Sequence, residues 1–415
     1  MATLGTLYQR MIDPCTSAML PADQPLAGPG PWGSRGTAFL RTLLGAAIAT
    51  FGLICADAPA ADAANFTCSW NDATANWTTV ADWSSCNGTD PNNVGGNTYD
   101  VTISQGDPTL TTAVTIGSVT INSPGAWTLS GSGASATLTG TLTNGGTVAL
   151  GGTAGLTVSN GVTNSGTLDV DANTFDGGGS LTVGGTLANT GAVQIGNGNL
   201  GAATTATLGG LTNPSGASFE VFGSASHPAT LAFSSGGSGF TSNGGTFVLS
   251  DTTPLTLPGP FTNSGTVALD GTAGLTVSSG FTNSATLDVD ANTFDGGGSL
   301  TVGGTLANTG AVQIGNGNLG AATTATLGGL TNQSTGTLDL FGSASNQATL
   351  NIVAASGTTA SNAGNLNVRE HASLSTAAGV NLSNSGTFNI DTGSGQGASS
   401  VTIGGTLSNT AALNV

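Results

Sequence analysis

One stretch of the chain is present twice without a mismatch. Residues 167–213 return letter for letter as residues 286–332, an offset of 119 residues (286 − 167). Weaker similarity extends on both sides, so the repeated block occupies residues 140–230 and again 259–349. An enzyme seldom needs two copies of one surface, whereas a fold made of stacked equivalent units does. The 415 residues are therefore expected to form one elongated repeat architecture instead of two or three globular domains.

Each block divides into shorter units, and each unit is marked by an asparagine that precedes a short strand pattern. In residues 162–170, VTNSGTLDV, apolar residues alternate with polar ones after the asparagine. Residues two apart face the same side of a strand, so Leu168 and Val170 are expected to point inward and Asp169 and Asp171 to point to water. The marker asparagines are Asn144, Asn164, Asn189, Asn213, Asn243, Asn263, Asn283, Asn308, Asn332, Asn362, Asn384 and Asn409.

A second short strand occupies each unit, as in residues 180–183, and glycine pairs such as Gly184–Gly185 are expected to form the corners. Stacking such units buries their apolar rows and pairs their backbones above and below. The pattern predicts an all-β solenoid over residues 101–415. At equivalent corners, the marker asparagines are expected to accept left-handed backbone geometry, to hydrogen-bond their own turn and to stack as an amide ladder.

The charge balance excludes two classes of partner. The chain has 21 acidic residues against four arginines and no lysine, for a net charge of −17. Nucleic acids and anionic membrane surfaces are bound by clustered Lys and Arg, which this chain does not have. An acidic exterior without lysine favours solubility outside the cell and loose cation binding. No cofactor motif accompanies it.

The first 63 residues have the features of an export signal with an N-terminal extension. Two arginines, Arg35 and Arg41, precede the apolar run 42–54, and Ala61–Ala63 has the A-x-A form of a signal peptidase site. The apolar run is short for a membrane span, so an uncleaved anchor is the weaker alternative. The mature chain is thus expected to begin near residue 64, in an oxidising compartment.

Residues 64–100 differ in composition from the repeats and are interpreted as an N-terminal cap. They contain Trp70, Trp77 and Trp83, together with Cys68 and Cys86. In an exported chain, two such cysteines are expected to form a disulfide, with a free or intermolecular pair as the alternative. The tryptophans are expected to cover the open edge of the first unit, although they could instead form a carbohydrate-stacking platform.

The acidic residues of the block are candidates for catalytic or metal-binding groups. Glycoside hydrolysis needs two carboxylates across a cleft, and calcium needs several oxygen ligands. The pattern DVDAN at residues 169–173 places acids at alternating positions, but Thr174 stands where a calcium loop needs glycine. Recurrence of the same acids in both copies favours a solvated structural surface, with calcium binding as a weaker alternative. The candidates are Asp169, Asp171 and Asp176, and their copies Asp288, Asp290 and Asp295.

One triplet combines a cation, an acid and an imidazole: Arg369, Glu370 and His371. If these residues continue a strand, Arg369 and His371 share one side while Glu370 points away. Nucleophile, base and orienting group are then not assembled, and no catalytic residue is assigned.

Several segments resemble the passenger regions of bacterial autotransporter and filamentous-haemagglutinin-type surface proteins. The resemblance rests on CSWNDATANWTTVADW (residues 68–83), DPNNVGGNTYDVTI (90–103), TIGSVTINSPGAWTLSG (115–131) and the recurrent LTNSGTL pattern. It implies a right-handed parallel β-helix displayed at the cell surface by an outer-membrane β-barrel. No segment of the given sequence resembles that barrel, and an outer-membrane translocator is the implied partner.

The expected function is therefore that of a non-enzymatic, exported cell-surface protein that serves adhesion or display, with a host or cell-surface glycan or protein as partner. A structural surface-layer or matrix protein is the alternative, and a polysaccharide-active β-helix enzyme is a weaker one. The chain stops at Leu413–Val415 inside a strand pattern, an open edge that is expected to favour self-association.

Overall fold

A computed structural model describes residues 64–415, apart from residues 72, 94–95, 174–175, 235–238, 293–294 and 393–396. The signal peptide expected in residues 1–63 lies outside the described residues. The described part of the chain consists of short strands and tight turns, with one 3₁₀ turn at Val80–Asp82 and no α-helix. No helix within it is long and apolar enough to cross a membrane.

The strands are short and follow one another at the spacing of the sequence units. The first are β1 (Asn65–Trp70), β2 (Thr74–Asn76), β3 (Trp83–Ser84), β4 (Thr98–Ile103), β5 (Asp107–Leu110), β6 (Ala113–Ile116), β7 (Val119–Ile121), β8 (Ala126–Ser130), β9 (Ser135–Leu138), β10 (Leu142–Asn144), β11 (Thr147–Gly151), β12 (Gly155–Val158) and β13 (Val162–Asn164). Next come β14 (Thr167–Val170), β15 (Ser180–Asn189), β16 (Ala192–Ile195), β17 (Thr205–Thr212), β18 (Ser218–Phe222), β19 (Thr230–Phe233), β20 (Ser242–Asn243), β21 (Thr246–Ser250), β22 (Leu255–Leu257), β23 (Phe261–Asn263), β24 (Thr266–Asp270), β25 (Gly274–Val277), β26 (Phe281–Asn283) and β27 (Thr286–Val289). The last are β28 (Ser299–Asn308), β29 (Ala311–Ile314), β30 (Thr323–Asn332), β31 (Thr337–Phe341), β32 (Ala348–Ile352), β33 (Thr359–Asn362), β34 (Asn365–Arg369), β35 (Ser373–Thr376), β36 (Asn381–Asn384), β37 (Thr387–Ile390), β38 (Ser400–Thr402), β39 (Leu407–Asn409) and β40 (Ala412–Asn414).

These strands form three long sheets, named here sheets 1, 2 and 3. Sheet 1 has 12 strands and contains β1, β3, β4, β6, β7, β9, β10, β12, β13, β15, β17 and β19. Sheet 2 has 15 strands, in the order β2-β5-β8-β11-β14-β16-β18-β21-β24-β27-β29-β31-β34-β37-β40. Sheet 3 has 13 strands and contains β20, β22, β23, β25, β26, β28, β30, β32, β33, β35, β36, β38 and β39. Among the described strands, only β1 and β3 pair antiparallel. The predicted all-β class with parallel strands is confirmed, and the arrangement is consistent with a β-helix-like solenoid.

A continuous apolar row runs along sheet 2 from β8 to β37. Its members pair in register from one strand to the next, and each side chain is at most 1% exposed. The row comprises Trp127, Val148, Leu168, Val193, Phe219, Phe247, Val267, Leu287, Val312, Leu338, Leu366 and Phe388. Burying one such side chain contributes about 1.5–3 kcal/mol. The inward orientation predicted for Leu168 and Val170 is confirmed, because both are fully buried.

Gly184 and Gly185 were expected to form a corner between strands, but the structure places them within a strand. Both residues lie inside β15, where the register shifts between Val183 and Thr186. Neither has a positive φ. A Cβ at Gly184 would collide with the carbonyl oxygen of Ser159, so close approach of two backbones explains the glycine.

The N-terminal segment adds a strand and an aromatic cluster to the first units. In this segment β1 pairs in parallel with β4, and Cys68 is joined to Cys86 by a disulfide. Trp77 is fully buried, and its ring contacts those of Trp83 and Trp127. Because Trp70 and Trp83 are each only 6% exposed, the three rings do not offer a face for stacking on a sugar.

Candidate functional site

The marker asparagines form an unbroken ladder of side-chain hydrogen bonds. In each pair, Nδ2 of one asparagine donates to Oδ1 of the next, over distances of 2.6–3.0 Å. The ladder runs through Asn144, Asn164, Asn189, Asn213, Asn243, Asn263, Asn283, Asn308, Asn332, Asn362, Asn384 and Asn409. All of these side chains except that of Asn409 are at most 2% exposed.

The ladder also links two sheets. Asn164, at the end of β13 in sheet 1, donates to the carbonyl oxygen of Ala192 in sheet 2 at 2.9 Å. Within its own turn, Asn144 accepts a hydrogen bond from Gly146 N at 3.2 Å. Because a buried amide without partners costs about 1–3 kcal/mol, each unit needs the next to satisfy it.

The left-handed geometry expected of these asparagines is not observed. They are the last residues of strands such as β10, β13 and β26, and none has a positive φ. The left-handed corners are instead occupied by acids, including Asp171 at φ +56° and Asp290 at φ +52°. The reason is local: the asparagine side chain reaches the next unit from an extended backbone, and the left-handed residue comes only after the following strand.

The expectation that Asp171 points to water is wrong. Strand β14 ends at Val170, and the left-handed turn at Asp171 breaks the alternation, so its side chain is fully buried. Its Oδ2 accepts hydrogen bonds from Gly179 N at 2.7 Å and Thr204 Oγ1 at 2.6 Å. Asp169, inside the strand, is half-buried, and burial raises its pKa although Asn173 donates to it.

The second copy repeats this corner. Asp290 is fully buried and accepts from Gly298 N at 2.7 Å and Thr323 Oγ1 at 2.5 Å. Burial raises its pKa, while hydrogen bonds from Thr323 and from the backbones of Gly298 and Gly271 lower it. Burial also raises the pKa of Asp288, to which Asn292 donates.

A third corner has the same construction. Asp391, at φ +47°, accepts from Ser399 N at 2.9 Å. Burial raises its pKa, but hydrogen bonds from Ser399 and from Glu370 N bring it below the usual value. In each of the three corners, the acid binds the amide eight residues later.

The calcium candidates are not gathered into one cluster. Asp176 and Asp295 are exposed, whereas Asp171 and Asp290 are buried. Within the described ranges, no three or more His, Cys, Asp or Glu side chains are placed to hold a metal ion.

The strand alternation expected of the Arg369–His371 triplet does not apply. Strand β34 ends at Arg369, and Glu370 and His371 have φ of +53° and +65°. Arg369 binds Asp339 through Nε at 2.9 Å and Nη2 at 2.6 Å, and its guanidinium carbon lies 3.8 Å from the centre of the Phe341 ring. The Asp339 side chain raises the pKa of Arg369. The arginine thus holds neighbouring strands together.

Charge is distributed unevenly over the three sheets. The strands of sheet 2 carry Asp107, Asp169, Glu220, Asp270, Asp288, Asp339 and Arg369. Strands of sheet 3 and the described strands of sheet 1 after β4 carry no charged residue, and their outward positions are mostly Thr, Ser and Gly. One face of the repeat is therefore acidic, and the others present hydroxyl groups.

Three surface concavities have volumes of about 350–500 Å³. One is lined by Ser130–Ser132, Gly151–Thr153, Asp176, Gly177 and Ala202, and another by amide side chains beside Phe341. Hydroxyl side chains and the carboxylate of Asp176 line the first of them. Comparison with protein-family models, with curated proteins and with solved structures finds no match to this chain.

Proposed function

We propose that this chain is an exported bacterial surface protein that forms a right-handed parallel β-helix and serves adhesion or display without catalysis. The observation that carries the proposal is the asparagine ladder, which passes through both copies of the block without a break. A fold that repeats one unit to gain length, while displaying the same outer surface many times, is suited to projecting or presenting that surface.

The N-terminal segment supports this proposal as the cap of the β-helix. Residues 64–100 place the Cys68–Cys86 disulfide and a buried tryptophan cluster at the beginning of the sheets. Covering the open backbone of a first strand protects it from pairing with another chain. In this proposal, an outer-membrane translocator exports the chain, and its outer faces meet a glycan or protein at a cell surface.

The test is to locate the protein on intact cells of the native organism and to measure adhesion. We expect an antibody against residues 64–415 to label intact cells, and externally added protease to remove the label. A deletion strain is expected to bind host or neighbouring cells less well, and complementation with the whole gene to restore binding. Labelling that appears only after the cells are permeabilised would contradict the surface location. Unchanged adhesion of the deletion strain would contradict the adhesive role.

The acidic face of sheet 2 favours one alternative, a structural surface-layer or matrix protein. Such a protein would assemble into ordered arrays when a divalent cation neutralises its carboxylates. Electron microscopy of the exported protein with and without calcium separates the two roles, because an adhesin remains dispersed. Release of reducing ends from a polysaccharide panel would instead favour the enzymatic alternative.

A further inference from the structure

One surface concavity in the second copy of the block is lined by amide side chains and an aromatic ring. It has a volume of about 350 Å³. Asn292, Gln313, Asn316 and Asn318 supply its polar groups, and Phe341 supplies its apolar wall. Pockets of this size hold small ligands, whose orientation is fixed by a few polar groups of the protein.

Two of these amides are held by hydrogen bonds to the protein. Nδ2 of Asn292 donates to Oδ2 of Asp288 at 3.1 Å, and Nε2 of Gln313 donates to the carbonyl oxygen of Gly315 at 3.0 Å. Within the described part of the chain, no group donates to the side-chain oxygen of either amide. The two oxygens are therefore available to accept hydrogen bonds from a ligand.

The Phe341 ring is held by two contacts. The guanidinium carbon of Arg369 lies 3.8 Å from the ring centre, and Arg369 is in turn bound to Asp339. A Cβ at Gly317 would lie only 2.8 Å from Cζ of the ring, so glycine is required for the backbone to approach the ring so closely. The apolar wall is therefore fixed before a ligand arrives, which lowers the entropic cost of binding.

The first copy of the block has the same lining residues but not the same wall. Phe222 and Gly198 stand where the second copy has the ring and the glycine. A Cβ at Gly198 would meet no atom within 4 Å, so the Phe222 ring does not approach this glycine. The strand neighbour of Phe222 is Ser250, at the position that Arg369 occupies in the second copy. The two copies thus differ in the placement of the ring, and the arginine accompanies the closely packed form.

The charges around the concavity disfavour a charged ligand. Its described lining carries no charged side chain. Asp339 lies beside Gln313 on the next strand and is already paired with Arg369, so it offers no free carboxylate to a cationic ligand. An anionic ligand is repelled by a chain whose net charge is −17.

We propose that the concavity between Asn292 and Phe341 binds a neutral oligosaccharide. Sugar hydroxyl groups both donate and accept hydrogen bonds, so they suit amide side chains, which carry donors and an acceptor together. The C–H groups on one face of a sugar ring pack against an aromatic side chain, which Phe341 provides. This site assigns a ligand class to the adhesive surface and therefore rests on the proposed function.

The test titrates the purified exported protein by calorimetry with neutral oligosaccharides of glucose, mannose and galactose. We expect at least one of them to bind the parent protein. Asn318→Ala removes an exposed amide from the site and is expected to weaken that binding about tenfold. Asn199→Ala, at the equivalent exposed position of the first copy, is the matched control and is expected to leave the affinity unchanged.

Phe341→Ala tests the apolar wall, and Phe222→Ala is its control in the first copy. We expect the first substitution to abolish measurable binding and the second to preserve it, with thermal melts recorded to show that each variant is folded. If Phe341→Ala does not fold, the comparison of Asn318→Ala with Asn199→Ala decides. Binding that survives Asn318→Ala unchanged would overturn the proposal by placing the sugar elsewhere, and so would the absence of binding to all of the oligosaccharides.

The outcome is separable from that of the cell-adhesion test. If no oligosaccharide binds but the deletion strain still adheres less well, the sugar site is overturned and the adhesive role stands, with a protein as the partner. If an oligosaccharide binds at this site but deletion leaves adhesion unchanged, the adhesive role is overturned and the sugar site stands.

Discussion

Asn164 and Asn189 are 25 residues apart in the chain, yet Nδ2 of Asn164 donates to Oδ1 of Asn189 at 2.9 Å. Asn164 in turn accepts from Asn144 at 2.7 Å and donates to the carbonyl oxygen of Ala192. One amide thus joins three consecutive units and two sheets. Because neighbouring hydrogen bonds in a buried chain polarise one another, the ladder is expected to act cooperatively.

Asn164→Ala is expected to lower the free energy of unfolding by about 3 kcal/mol. The substitution removes the hydrogen bonds that Asn164 donates to Oδ1 of Asn189 and to the carbonyl oxygens of Gly166 and Ala192, and the one that it accepts from Asn144. Each such hydrogen bond contributes about 0.5–1.5 kcal/mol. Asn164→Asp keeps the shape but removes the donor, so it should be destabilising as well. The measurement is urea unfolding of the exported protein, followed by circular dichroism.

Thr157→Ala is the matched control for the ladder substitution, because Thr157 lies on an exposed outward position of β12. It should change the free energy of unfolding by no more than about 0.5 kcal/mol. Equal midpoints for Asn164→Ala and Thr157→Ala would show that the ladder does not stabilise the stack.

Asp171→Gly is expected to destabilise the protein although glycine suits the left-handed turn at that position. The substitution removes the acceptor for Gly179 N and Thr204 Oγ1, which are 2.7 and 2.6 Å from Oδ2. The loss should be about 2 kcal/mol, partly offset by relief of the positive φ. Asp176→Gly, at an exposed position five residues after Asp171 (176 − 171), is the comparison. If Asp171→Gly melts at the same temperature as the parent, the hydrogen bonds to Oδ2 of Asp171 do not stabilise the fold.

The period-two pattern predicted which residues are buried within strands, but it could not predict where the strands end. Leu168 and Val170 follow it, whereas Asp171 does not, because its left-handed φ begins a turn that the pattern does not encode. The same happens at the end of β34: the pattern placed Arg369 and His371 on one side of a strand, but the strand ends at Arg369 and His371 lies in a left-handed turn. Pairing of the marker asparagines was predictable from their regular recurrence. Their extended backbone was not, since asparagine is compatible with both conformations.

Protonation of Asp270, in the second copy of the block, is expected to stabilise the protein as the pH falls from neutral toward about 4. The pKa of Asp270 is raised to about 6 in the folded state, above its ordinary value of 3.8, so the folded state favours the protonated form. This contribution is fully present below the unfolded pKa and is lost as the pH rises through about 6. Asp270→Asn, measured by urea unfolding between these limits, should make the free energy of unfolding depend less on pH.

Asp391 provides the opposite sign within the same chain. Its folded pKa is lowered by hydrogen bonds from Ser399 and Glu370, so its contribution is present above the unfolded pKa and is lost as the pH falls through the folded pKa. Asp391→Asn should therefore reduce the loss of stability in acid. The same slope of unfolding free energy against pH for Asp270→Asn and the parent would contradict the pKa assigned to Asp270.

Removing one whole block is expected to leave a shorter but cooperatively folded protein. Deletion of residues 165–283 joins Asn164 to Ser284, and Asn308 then follows at the spacing at which Asn189 follows Asn164 in the parent. Each unit contacts mainly its neighbours, so the ladder and the apolar row close again across the join. A control deletion of residues 165–270 joins Asn164 to Gly271 and skips the strand that should follow the asparagine. We expect the first deletion to keep a single unfolding transition with a Tm within a few degrees of the parent, and the control to lose cooperativity. Equal damage in both would show that the two copies are not interchangeable parts of one stack.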